Sequence, residues 1–146
     1  MAFTDDAIRA IVRTGEFSDP AAEKHLDDVL IMRRDKIGRA YLTLANPIVD
    51  PVLDETGVLK FGNAAVQYGF EQPPGLYNAA WFAFDNTTGV SKPLGESKGA
   101  GTGVRPPGAL PTAPGTFVKV VLSAEGATRK TSAQPIHAYF RPRTGR

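Results

Sequence analysis

Acyl and glycosyl transfer need a nucleophile or an acid held within hydrogen-bond reach of a partner group, and this chain offers few candidates. Its 146 residues include no Cys, five Ser and two His. No Ser lies in a Gly-x-Ser-x-Gly elbow. His25 and His137 are far apart in sequence and match no metal-ligand spacing, so both read as surface residues. Among the carboxylates, Asp50, Asp54, Glu71 and Asp85 sit in segments that could converge at one end of a fold. A glycosidase would hold such a pair ~5 or ~6.5–9.5 Å apart. Asp50, Asp54 and Glu55 lack the alternating ligands of a calcium loop, and turn formation accounts for them more simply. Lys98-Gly99-Ala100-Gly101-Thr102-Gly103 resembles a phosphate cradle, but Pro106 and Pro107 follow where a helix N-terminus would be needed. The chain is therefore expected to be non-enzymatic, with no catalytic residue, cofactor or metal. What remains is aromatic: Tyr68, Tyr77 and Tyr139 are the candidate ligand-binding residues. With Trp81 they would form a platform for a sugar or peptide. The competing reading places Trp81 in the core, because a large aromatic contributes so much burial.

Something must position these residues, and the stretch Tyr77–Phe84 is the natural centre. Tyr77, Ala79, Trp81 and Ala83 line one face of a strand; Asn78, Ala80, Phe82 and Phe84 line the other. Both faces are largely apolar, which predicts cover on both sides, a second sheet on one and a helix on the other. Upstream, Thr4 caps a helix over about 5–14, with Asp5 and Asp6 in its first turn. Ser18-Asp19-Pro20 starts a second helix over about 19–37, with Leu26, Val29, Leu30 and Ile37 at helical spacing and Gly38 as its stop. The short link predicts a helical hairpin whose apolar face covers the outer side of the Trp81 strand.

After Gly38 the pattern changes to period two. Ala40–Leu44 reads as a strand, or as a continuation of the helix. Pro47 and Pro51 bracket an edge strand or loop at Ile48-Val49. Asp54-Glu55-Thr56-Gly57 predicts a hairpin turn into Val58–Phe61. Strands are expected at Ala64–Phe70, Val90–Leu94, Thr116–Ser123 and Pro135–Arg141, and a polar turn over Ala124–Thr131. Ser97–Gly115, with five Gly and four Pro, reads as a long irregular loop. The expected fold class is α+β: one domain over 1–146, an N-terminal helical hairpin (1–38) packed on an antiparallel, immunoglobulin-like β-sandwich (39–146).

Charge is uneven. Residues 1–32 carry net −4, 33–39 net +3, 40–91 net −4 and 92–146 net +7. The basic residues of the last third are scattered rather than gathered on one motif, so no nucleic-acid partner is expected. No apolar run approaches the ~20 residues of a membrane span, and Met1–Asp6 has no secretory h-region.

Three strings, Phe17–Ala22 leading into Arg33–Gly38, Phe84–Gly89 and Ala138–Arg141, resemble the C-terminal region of a group of larger bacterial proteins with no established activity. The resemblance implies a domain of a longer protein and transfers no catalytic residue. The function expected is an accessory or interaction module whose partner is the rest of a parent polypeptide or another protein. A small-ligand or carbohydrate-binding module is the alternative, and an enzyme fragment with a carboxylate-based site the third reading. An aromatic ladder exposed on one sheet face would favour the alternative.

Overall fold

A computed structural model describes residues 3–113, 115–125 and 134–141. The polar turn expected over Ala124–Thr131 falls outside the described residues from 126 onward. The chain forms two compact units, Met1–Leu42 and Thr43–Arg146.

The first unit is a helical hairpin. Helix α1 spans Asp5–Arg13, and Thr4 caps it by accepting a hydrogen bond from the Ala7 amide at 3.1 Å. Helix α2 spans Pro20–Leu44. Asp19 opens it, its carboxylate accepting from the Ala21 amide at 2.8 Å, while Pro20 loses nothing in a turn whose amides have no helical partner. Arg34 of α2 holds Asp5 at 2.6 Å and donates to the Phe3 carbonyl at 3.0 Å, and Arg13 approaches Glu23 at 3.9 Å. Contacts at both ends fix the two helices as antiparallel. Ile8 and Val12 of α1 are buried, four residues apart on one face.

Helix α2 runs beyond the expected stop. Gly38 is a buried position inside it, and Ala40–Leu44 is helix, not strand. A helical Gly costs ~1 kcal/mol relative to Ala, which the good helix formers on both sides offset. The helix ends short of Asn46-Pro47, where the residue before Pro is pushed out of helical geometry. Asn46 then redirects the chain: its side-chain oxygen accepts from the Ile48 amide at 3.0 Å and its NH2 donates to the Gln134 carbonyl at 2.6 Å.

The second unit consists of two antiparallel sheets. Strands β1 (Ile48–Leu53), β2 (Leu59–Asn63) and β5 (Gly103–Val104) form one, in the order β1-β2-β5. Strands β3 (Tyr77–Asp85), β4 (Ser91–Gly99), β6 (Thr116–Ala124) and β7 (Ile136–Phe140) form the other, in the order β4-β3-β6-β7. With β3 as strand C and β4 as C′, this is the pairing A-B-E against C′-C-F-G, compatible with an immunoglobulin-like outline. The inward residues of both sheets make one core. Ile48, Leu59, Phe61 and Val104 meet Tyr77, Ala79, Trp81, Val118, Val120 and Leu122. The arrangement is α+β, helices first and antiparallel sheets after.

Three local expectations need correction. Ala64–Phe70 is not a strand; Ala64–Gln67 is a one-turn helix, α3, capped by Asn63, which accepts from the Val66 amide at 3.2 Å. The short strand expected at Val90–Leu94 is longer, running Ser91–Gly99, so the loop expected from Ser97 begins with strand and is interrupted again by β5. Pro93 and Gly95 are tolerated in β4 because it is an edge strand with a bulge: Gly95 pairs Trp81 while Pro93 pairs Phe82, and Gly95 takes φ +131°. Strand β1 likewise accommodates Pro51 at an irregularity, with Asp50 at φ +50° and the ladder register shifting between Val49 and Val52.

Candidate functional site

The pairing register decides which side chains share the outer face of the four-stranded sheet. Phe82 of β3 pairs Lys119 of β6, and Lys119 pairs Tyr139 of β7; one step along, Phe84 pairs Phe117. Residues directly opposite on neighbouring strands share a face, so this side carries a band of aromatic rings around one ammonium group. Lys119 Nζ lies 5.5 Å from the Phe82 ring centre and 5.9 Å from that of Tyr139, both inside the ~6 Å range of a cation–π contact. Phe84 and Tyr139 meet edge to face, centres 5.0 Å apart and planes at 64°. Phe82, Phe84, Phe117 and Lys119 are half-buried, and Tyr139 is 50 % exposed. On the inner face of the same strand Tyr77 and Trp81 are buried, whereas Asn78, Ala80, Phe82 and Phe84 all remain partly accessible.

The three tyrosines named from sequence do not assemble into a platform. Tyr77 is 2 % exposed and belongs to the core, where its hydroxyl accepts from the Asn63 side-chain NH2 at 2.9 Å and its ring meets Phe61 edge to face. Burial pushes its pKa above the ordinary value. Tyr68 is exposed just after α3. Only Tyr139 stands on the aromatic face, with the Phe82, Phe84 and Lys119 that sequence reasoning did not select. The signal was present, since alternation already puts Phe82 and Phe84 opposite Trp81. The missing step was the register that brings Lys119 and Tyr139 alongside.

Two of the four carboxylates, Asp54 and Asp85, are occupied by turns, while Asp50 lies within strand β1. Asp54, in the β1–β2 turn, accepts from the Thr56 amide at 2.9 Å, the Thr56 hydroxyl at 2.6 Å and the Val58 amide at 3.0 Å, and pairs Lys60 at 3.0 Å. These donors, Thr56 foremost, hold its pKa far below the ordinary carboxylate range. Asp85, in the β3–β4 turn, accepts from the Thr87 and Thr88 amides at 2.8 and 3.2 Å, which lower its pKa too. Both turns border open clefts beside the 106–115 loop, and Tyr139 lines the cleft of about 800 Å³ next to the Asp54 turn. Each of these two turn carboxylates is stabilised as an anion, the wrong state for a general acid at neutral pH. His25 and His137 are exposed. No cluster of three His, Asp or Glu suited to a metal occurs among the described residues. No described helix is long and apolar enough to cross a membrane.

Comparison with protein-family models, curated proteins and solved structures gives no match for this chain.

Proposed function

We propose that this chain is an interaction module that docks a protein surface on the outer face of its four-stranded sheet. The observation that carries the reading is the gathering of Phe82, Phe84 and Tyr139 around Lys119. Aromatic residues are enriched where proteins bind one another, because they bring large apolar area at low entropy cost. The complementary surface would be apolar with a carboxylate placed to meet Lys119. That surface belongs either to the remainder of a longer polypeptide or to a separate protein.

The aromatic band on one sheet face is also what a carbohydrate or small-ligand module would present, and Tyr139 borders the open cleft as well; both observations favour that module as the second reading. A sugar stacks on open, coplanar ring faces. Here Lys119 occupies a face of two rings and the third pair is angled, so the protein-docking reading is the better supported.

A photo-crosslinking residue placed at Tyr139, with a control at exposed Val52 on β1, tests this in the cells that make the protein. The expected result is a discrete protein adduct at position 139 that disappears when Lys119→Glu is added. Absence of any protein adduct, together with NMR shifts at Phe82, Phe84 and Tyr139 on titration with neutral oligosaccharides, would transfer the site to the second reading.

A further inference from the structure

The cleft of about 800 Å³ beside the Asp54 turn is formed within the sheet unit alone, since every residue lining it belongs to Thr43–Arg146. It shares Tyr139 with the aromatic band of the outer sheet face and no other residue of that band. Clefts of ~300–1,000 Å³ with a mainly apolar lining suit small ligands. The end of β1, the loop around Leu110 and the end of β7 all contribute to this one. Leu53, Leu110 and Phe140 also pack against the core cluster, so the apolar part of the lining is anchored in the fold.

Two features prepare the cleft for an anion with an apolar body. The first is a firm wall. Four contacts of Asp54 fix its turn. Gly57 follows at φ +79°, where a Cβ would lie 3.4 Å from Leu110 Cδ1 and 3.9 Å from Pro106 Cγ, so the loop packs closely on the turn. The second feature is the charge balance. Asp54 is paired with Lys60 at 3.0 Å, and Glu55 is engaged as well. Arg141 lines the same cleft, is exposed, and has no hydrogen-bond or ion-pair partner among the described residues. The cleft charge left without a counterpart is therefore a guanidinium, whose parallel N–H donors match a carboxylate. A phosphate monoester would carry about −1.5 to −2 charges past Asp54 and Glu55 to reach it, whereas a carboxylate brings only one.

We infer that this cleft binds a small organic acid, its aromatic or aliphatic body seated against Leu53, Leu110 and Phe140 and its carboxylate paired with Arg141. Burial of the body supplies most of the affinity. The guanidinium selects the acid over uncharged molecules of the same shape and makes binding salt-sensitive. The site goes beyond the protein-docking reading and does not depend on it, because the outer sheet face and the cleft can be occupied separately.

The test uses the full chain, isotopically labelled, with 3-phenylpropionate and octanoate as probes and their uncharged primary amides as controls. NMR shifts at Leu53, Gly57, Leu110 and Tyr139 should saturate with either acid and weaken as salt is raised. The amides should bind at least about tenfold more weakly. Arg141→Gln should bring the acids down to the level of the amides while leaving amide binding and urea stability unchanged. A change that merely loosened the cleft would weaken acid and amide alike. Arg141→Lys, which keeps the charge and loses the fork, should fall between. Equal binding of acid and amide, acid binding untouched by Arg141→Gln, or no saturable shifts at about 20 mM acid would each overturn the inference. Shifts centred instead on Phe82, Phe117 and Lys119 would move the acid to the sheet face and overturn the cleft assignment. Binding of a peptide with a free carboxyl end at least about tenfold tighter than 3-phenylpropionate would make the ligand a chain terminus and overturn the small-acid assignment.

Discussion

Replacing Trp81 is the most informative perturbation of the sheet unit. Its side chain is fully buried, and its indole N–H donates to the Ser97 hydroxyl at 2.8 Å. A buried Trp removes about 150–250 Å² from water, which at ~25 cal/mol per Å² corresponds to roughly 4–6 kcal/mol. Trp81→Ala keeps the Cβ and lets neighbours relax partly, so the expected loss is about 3–5 kcal/mol. Trp81→Phe retains most of the apolar area and deletes the donor; its cost should be nearer 1–2 kcal/mol. Ser97→Ala removes the other half of the same bond, so the two changes together should cost less than their sum. Urea unfolding followed by far-ultraviolet circular dichroism measures wild type, the three single variants and the Trp81→Phe/Ser97→Ala double variant without relying on the deleted fluorophore. The native chain should emit at wavelengths well below those of Trp in water and resist iodide quenching. A Trp81→Ala loss under about 2 kcal/mol at unchanged denaturant slope, or a water-like emission maximum, would refute the core assignment.

Four further outcomes are expected. Tyr77→Phe strands the Asn63 side-chain NH2 in the core, and should cost about 1–3 kcal/mol in the same assay. Asp54 has a folded pKa below its ordinary 3.8, so its contribution is present above that value and is lost as pH falls below it; acid unfolding of Asp54→Asn should show a shallower dependence below about pH 4 than wild type. Residues 43–146, which contain the entire core cluster, should unfold cooperatively as an isolated fragment, whereas a molten fragment would mean that the helices complete the core. Gly99→Ala should destabilise the sheets strongly in thermal melts, because a Cβ there collides with the Gly103 carbonyl and the Val104 side chain.

The parts of the fold that were legible in sequence are those where one physical signal dominates. Strands β3 and β6 alternate apolar side chains around a single plane, and Thr4 and Asp19 are capping residues at both helix starts. Strand β4 was largely hidden because an exposed edge strand needs no apolar alternation; pairing with β3 stabilises Ser91–Gly99 in spite of Pro93 and Gly95. Helix α3 was hidden for the opposite reason. Val66, Tyr68 and Phe70 favour a strand by propensity, yet the Asn63 cap and the buried Ala64 and Ala65 give a helical turn. Gly38 was misleading as a stop because the residues after it are also good helix formers. The candidate face is a property of register between three strands, and no local window contains Phe82, Lys119 and Tyr139 together. Tyr77 was chosen for its type, and only its packing reveals that its hydroxyl is already satisfied.

The hydrogen bond from Asn46 to the Gln134 carbonyl places the start of β1 beside the approach to β7. The turn after β1 and the end of β7 then lie together at the opposite end, where Leu53, Asp54 and Phe140 line one cleft. The two strands therefore run side by side in the same direction. A tensile force applied between Asn46 and Phe140 would pull along the strands from opposite ends of the unit. Such a load shears the packed core and many ladder hydrogen bonds at once, where a perpendicular load would peel them apart one by one. The resistance of the sheet unit to such a load is set by the path of the backbone.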